Sequence, residues 1–447
     1  MLSILRNRTY RHLFLAQIIA LLGTGLATVA LALLAYELAG GAAGAVLGTA
    51  LAIKMIAYIG IAPIVGAFAD QLPRRSLLIA MDVVRASVAI VLPFVDQIWQ
   101  IYLLIFIMQS ASAAFTPTFQ ATIPDILPDE RDYTRALSLS RLAYDTENLV
   151  SPMLAAALLS VMSFHWLFSG TAIGFIASAL LVSTTVLERS RSTEPRKGGI
   201  YTKTTRGMRI YLKTPRLQGL LALTLAAAAA SAMVIVNTVV IVRDILGLGQ
   251  RDVAFAFAAY GGGSILAALI LPRLLDRISD RTIMIGAAAS LSVGLAGLAV
   301  GLPIAGLAWL WPTLLGGWFI LGIAYSMSVT PTGRLLRRSA NAEDRPALFA
   351  AQFALSHVCW LIAYPVVGWL GAEVTQEAAL GSMAILAGFG SGLALWLWPR
   401  HDPQIIAHSH DELAPDHPHL QKDHGENRIA SHPYVIDELH EHWPNRV

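Results

Sequence analysis

The sequence predicts an all-α polytopic membrane protein, with 12 transmembrane helices in two pseudo-symmetric six-helix bundles. Three observations predict it. The 447 residues are 55% hydrophobic and only 14% charged, with a mean hydropathy of +0.60, where a soluble domain carries about 25% charged residues. Twelve apolar runs, each long enough to cross a bilayer at about 20 residues, follow one another along the chain. Of the 32 Lys and Arg, 28 fall in the termini and in the loops of one side, and the opposite loops hold only Arg243 and Arg251. This positive-inside asymmetry puts both termini and the central linker in the cytoplasm.

The first six runs lie near 13–36, 46–69, 77–95, 98–117, 142–162 and 165–187. The last six lie near 217–242, 252–272, 282–301, 307–330, 347–370 and 376–398. The chain therefore divides into a first bundle (1–187), a basic cytoplasmic linker (188–216), a second bundle (217–399) and a His-rich cytoplasmic tail (400–447) expected to be largely disordered. Behind the basic residues 1–12, the apolar run to Tyr36 is too long for the core of a signal peptide, so it is an uncleaved first span. The single cysteine, Cys359, excludes disulfides and CxxC redox chemistry. No Gly-x-x-x-x-Gly-Lys phosphate loop is present, and no nucleophile–base arrangement stands out, so the chain is not expected to be an enzyme or an ATP-driven pump. The basic linker is too scattered for nucleic-acid recognition.

The loop after the second run holds Gly66, Asp70, Arg74 and Arg75. At one constant offset Asp70 recurs as Asp276 and Arg75 as Arg281, while Gly66 falls on Pro272. Further on, Thr116–Thr118 matches Thr330–Thr332 and Asp129–Arg131 matches Glu343–Arg345, at an offset eight residues longer. Two such anchors indicate a duplicated six-helix unit, a plan that suits rocking about a central site. The loop pattern, with Asp82 and Arg85 in the next span, resembles the major facilitator superfamily over roughly residues 5–400. Gln71 and Pro73 depart from the family pattern, which has a basic residue and a glycine there. The resemblance implies a secondary transporter of the bacterial inner membrane, driven by the proton gradient and working as a monomer. It is nearest to exporters of siderophores, drugs or nickel. It also implies a cytoplasmic gate in which Gly66, Asp70, Arg74, Arg75, Asp82, Arg85, Asp276, Arg277 and Arg281 make bonds that break on opening; the alternative is simple positive-inside anchoring.

Charges inside spans are costly and mark functional candidates. Lys54 lies near the middle of the second run. Asp145, Glu147 and Asn148 lie in the fifth, before Ser151 and Pro152. Asp145 is four residues after Arg141 and so suits an i,i+4 pair, whereas Glu147 points about 200° away from Asp145. Glu147 is therefore the leading candidate for the carboxylate that binds and releases a coupling proton. Gln17, Gln109, Asn237 and Tyr325 fall on spans that line the cavity in the resembled family, with helix–helix hydrogen bonding as the other reading for the amides. His357, near Cys359, is either a titrating or metal-ligating group or a packing residue.

Nine of the 12 histidines and nine carboxylates follow Arg400. His408 and His410, His417 and His419, and His440 and His442 form three His-x-His pairs, with His424 and His432 between them. Alternate residues of an extended chain share a side, so these pairs, and His424 with them, are candidate ligands for Ni²⁺, Co²⁺ or Zn²⁺. No closed structural-site spacing occurs, and residues 433–443 could instead form a short docking helix. The leading expectation is a proton-coupled exporter in the lipid bilayer, with a divalent metal or metal chelate as substrate. A drug, siderophore or other amphiphile stands beside it, and a mid-span lysine suits an anionic cargo better than a bare dication. A reading of another class is a membrane-anchored metal receptor or buffer that does not transport.

Overall fold

The computed structural model describes residues 2–39, 43–68, 72–187, 200–304, 307–403, 405–409, 429–437, 439–440 and 442–444. Asp70, the linker before residue 200, His410, His417, His419, His424 and the side chain of Asn148 lie outside the described residues.

The first half contains α1 (Arg8–Ala39), α2 (Ala43–Phe68), α3 (Arg74–Val91), α4 (Ile98–Ile126), α5 (Glu130–Leu159) and α6 (His165–Ser183). A shorter α7 (Ile200–Lys213) leads into α8 (Pro215–Val240), α9 (Gln250–Leu275), α10 (Asp280–Ile304) and α11 (Leu307–Val329). The short α12 (Thr332–Arg338) precedes α13 (Arg345–Glu373) and α14 (Gln376–Leu397). Six long helices per half give the 12 spans. Eleven are apolar enough to cross a membrane by composition alone. The twelfth is α5, a helix of 30 residues whose first turns carry Glu130, Arg131, Asp132 and Arg135 and whose middle carries Arg141, Asp145 and Glu147. Its start is fixed by Asp129, whose carboxylate accepts the Asp132 backbone N–H at 3.0 Å.

Apolar side chains gain nothing by leaving lipid for each other, so the helices pack through small residues. Helix α8 is buried nearly all round, and the run Ala226–Ala230 lets α14, α13 and α10 close on it. A side chain at Gly263 would overlap the Phe319 carbonyl and one at Gly322 the Tyr260 carbonyl, so α9 and α11 touch backbone to backbone. The halves meet along two seams, α2 with α13 and α5 with α9. On the first, Ala62, Ala113 and Ala350 form a small buried cluster, and a Cβ at Gly66 would come 2.6 Å from that of Ala350.

Two parts differ from the sequence reading. Residues 200–213 of the linker form the amphipathic α7, which lies over the α2–α13 seam with Gly207 against the Ala347 backbone. In the tail, β1 (Ile405–Ser409) pairs antiparallel with β2 (Ile429–Pro433). No helix occurs among the described residues of 433–443; instead Tyr434, Ile436 and Trp443 pack onto the core of the second half.

Candidate functional site

Chain direction brings both terminal segments, α7 and the α2–α3, α4–α5, α9–α10 and α12–α13 turns to one end of the bundle, called the base here. About 25 Å above it, at 1.5 Å per helical residue, Glu147 stands on α5. It packs on Gly25 of α1, where a Cβ would come 2.8 Å from Oε1 and would overlap Ser151. Lys54 of α2 is within Coulombic range of both Glu147 and His357. Its ammonium also lies 5.5 Å from the centre of the Tyr58 ring, a favourable site for a cation. The Tyr58 hydroxyl donates to Gln109 Oε1 at 2.8 Å. Across the seam, the Phe353 and His357 rings of α13 lie 4.8 and 4.6 Å from Tyr58. His357 donates from Nδ1 to the Phe353 carbonyl at 2.6 Å, which turns Nε2 outward as an acceptor. Four residues singled out from sequence, Lys54, Gln109, Glu147 and His357, thus share one mid-membrane neighbourhood with Tyr58 and Phe353, contributed by both halves.

Asp145 belongs elsewhere. It pairs with Arg141 and accepts from Ser264 Oγ of α9 at 2.6 Å, while Arg141 lies 4.7 Å from the Tyr325 ring centre. This cluster joins α5 to α9 across the seam and gives Asp145 the i,i+4 partner its spacing suggests. Asn237 donates to the Val367 carbonyl at 3.3 Å and to Met233, joining α8 to α13, as amides between spans commonly do. Gln17 accepts from Ser140 at 3.1 Å.

At the base, the gate residues divide into three roles. Arg74 pairs with Asp125 at the end of α4, and Asp125 also accepts from Arg345 of the second half at 2.6 Å. Asp276 reaches Arg131 at 3.5 Å, an exposed pair between the halves. Arg334 pairs with Glu130 of the first half at 2.7 Å and Asp280 of its own at 2.9 Å, and donates to Thr134. Arg337 donates to the Pro128 carbonyl. By contrast, Arg75 donates to the Ser183 carbonyl, and Arg281 to those of Trp398 and Leu395 at 3.1 and 3.4 Å. Each copy of that arginine therefore caps the last helix of its own half, where unsatisfied carbonyls favour a cation. Asp82 and Arg85 do not bridge the halves either. They pair with each other inside the first half, where Ser178 donates to Asp82 at 2.7 Å and Phe115 and Phe175 cover the guanidinium at 4.3 and 4.4 Å. Arg277 is exposed. Asp125, Glu130, Asp280, Arg334 and Arg337 were missed from sequence, although the matched motifs at Asp129–Arg131 and Glu343–Arg345 pointed to the right turns.

In the tail, His408, His432 and His440 bring one ligand atom each to within 4.8 Å of one another. His442 is exposed, and its carbonyl accepts from the Tyr434 hydroxyl at 2.7 Å. Beside the cluster, burial alone would raise the Asp437 carboxyl, but the His440 ring and the N–H groups of Leu439 and His440 hold it below its usual value. Burial pushes the Tyr434 hydroxyl up to about 12.

Two six-helix halves that meet at a charged aromatic site in mid-membrane and are tied by ion pairs at one end define a polytopic membrane transporter. The chain belongs to the major facilitator superfamily, whose family model matches residues 13–311 and 220–428. It is similar to the uncharacterized MFS-type transporter YfiS of Bacillus subtilis, 24% identical over 73% of this chain and 77% of that one. It is also similar to macrolide efflux protein A of Streptococcus pyogenes, 24% identical over 30% of this chain and 36% of that one. A crystal structure of a bacterial homologue of the iron transporter ferroportin in an outward-facing state shares the fold, with a TM-score of 0.71 and 12% identity over 87% of this chain and 99% of that one.

Proposed function

We propose that this transporter is a proton-coupled exporter of a small amphiphile bearing negative charge, either an organic anion or a metal chelate. The observation that carries the reading is Lys54 over the Tyr58 ring and within Coulombic range of Glu147 and His357, where Tyr58, Phe353 and His357 form an aromatic box and the halves meet. Aromatic faces take the apolar body of a cargo, and Lys54 takes its charge. A bare dication fits poorly, because Lys54 repels it from the two ligating side chains present. Glu147 can hold a proton or stay charged within range of Lys54, so a proton on Glu147 and an anion at Lys54 are coupled electrostatically. The positive-inside pattern makes the base cytoplasmic. The ion pairs there then close the cytoplasmic side, and the site opens to that side only when Asp125, Glu130 and Asp276 let go of the opposite half. Export rather than uptake is supported by the efflux protein among the relatives.

Everted vesicles with an imposed pH gradient, screened over organic anions, cations and chelated metals, test this reading. A gradient-driven flux of an anionic compound is expected, with Glu147→Gln losing the gradient dependence at unchanged expression. Flux of a bare dication, or unchanged coupling in Glu147→Gln, overturns it.

A further inference from the structure

We infer that His408, His432 and His440 form a binding site for one divalent transition-metal ion, Zn²⁺, Co²⁺ or Ni²⁺, which pins the tail hairpin to the base of the second half. The hairpin register builds it. His408 stands opposite Ala430, and His432 is the next residue on the same face of the neighbouring strand. Their rings lie 4.7 Å apart, and His440 closes the set at 4.9 Å from His408 and 5.1 Å from His432. Sequence spacing pairs His440 with His442, whereas the fold pairs it with two residues from separate strands.

The hydrogen bonds select which nitrogens face inward. Nδ1 of His408 donates to the Ile406 carbonyl at 2.9 Å, that of His432 to the Pro433 carbonyl at 3.1 Å, and that of His440 to Asp437 Oδ1 at 2.8 Å. An oxygen acceptor on the outer nitrogen is the arrangement that orients a metal-ligating imidazole and raises its basicity. With both outer protons committed, Nε2 of His408 and Nε2 of His440 confront each other at 3.0 Å. Two lone pairs held so close need a cation between them. A third imidazole within 4.8 Å makes a metal ion a better occupant than a shared proton. Tetrahedral bonds of about 2.0–2.1 Å require ligand atoms about 3.3 Å apart, a closure of at most about 1.5 Å from the present spread. His440 is 2% exposed, and Tyr434 covers the site with its ring 4.7 Å from His408 and 4.6 Å from His440. Among the described residues these three histidines supply the ligand atoms.

The site is anchored to the transporter. Tyr434 and Ile436 are buried in the core of the second half. Arg216, itself 1% exposed, lies 5.0 Å from the Trp443 ring centre and 3.4 Å from Asp402, which also receives Trp398 Nε1 at 3.2 Å. Arg338 joins Asp402 at 3.5 Å to Asp280 at 3.6 Å, and Asp280 is the partner of Arg334 in the inter-half ties. An ion here therefore orders a hairpin seated beside the ties that the transport cycle must break. The site does not depend on which cargo is carried.

Titration of the full-length protein in detergent with Co²⁺ alone, after chelator treatment, tests it. Visible bands of low-coordinate Co²⁺ should saturate at one equivalent. Each of His408→Ala, His432→Ala and His440→Ala should abolish the bands, and Asp437→Asn should weaken binding about 10–100-fold. The double variant His417→Ala/His419→Ala should retain them. The same order should appear in protection of the tail from protease by Zn²⁺, a readout that also detects a variant whose hairpin has not folded. Bands that survive the three substitutions, or that fall equally with the His417/His419 pair, overturn the site in favour of diffuse tail binding. Absence of any one-equivalent binding in the unsubstituted protein overturns it in favour of a shared proton.

Discussion

At the scale of single residues, position in the bundle decides what each buried charge does. Asp145 and Glu147 lie two residues apart on α5, so they face nearly opposite sides of the helix. One pairs with Arg141 and accepts from Ser264; the other lies within Coulombic range of Lys54, beside an aromatic box. Helical geometry made that division legible in the sequence. The aromatic box was not legible, because Tyr58, Phe353 and His357 come from helices some 300 residues apart in the chain, as their numbers show. Asp82 and Arg85 were assigned to the gate through the family pattern, yet they sit inside the first half under Phe115 and Phe175. Breaking a buried pair by neutralising one partner costs about 3–5 kcal/mol. Asp82→Asn should accordingly lower the denaturant midpoint of the detergent-solubilised protein by that equivalent. Removing the exposed Arg131–Asp276 pair should cost less than about 1 kcal/mol.

At the scale of elements, α5 and α7 carry most of what composition alone obscured. Helix α5 is as long as its neighbours but is crowded with charge, because its first turns build the base ties and its middle carries Arg141, Asp145 and Glu147. A count by apolarity alone would stop at 11 spans; the run of 142–162 behind the charged turns is what revealed the twelfth. Helix α7 lay in a segment that read as a plain basic linker. It docks through Gly207 against Ala347, and Arg206 donates to Asp344 at 2.6 and 3.1 Å. A side chain at 207 would overlap that backbone. Gly207→Val should therefore detach α7, seen as faster proteolysis between the halves with the two bundles intact. The tail hairpin was equally hidden, since its two strands are separated by some 20 residues of polar sequence and its anchoring residues are few.

At the scale of the whole molecule, the duplicated plan was readable from Asp70 and Arg75 recurring as Asp276 and Arg281. The division of labour within it was not. Arg75 and Arg281 cap α6 and α14 symmetrically, whereas the ties between halves run through Asp125, Glu130, Arg334 and Arg345 at the neighbouring turns. Charge-assisted bonds contribute about 1.5–3 kcal/mol each, so losing the one from Arg345 to Asp125 that joins the halves shifts a two-state ratio about tenfold to a hundredfold. Spin labels at Leu72 and Asn341, exposed on turns at the base of opposite halves, report that ratio as a distance. Asp125→Asn should move the distribution from short to long.

The same label pair tests the central proposal, that Glu147 is the coupling carboxylate, whose protonation should then bias which side of the transporter is open. Inter-label distances are measured by pulsed electron resonance in lipid, in mildly alkaline and mildly acidic buffer, with Glu147 and with Glu147→Gln. The account predicts a distribution that changes with pH when Glu147 is present and is independent of pH in Glu147→Gln. An equal pH response in both proteins would contradict it.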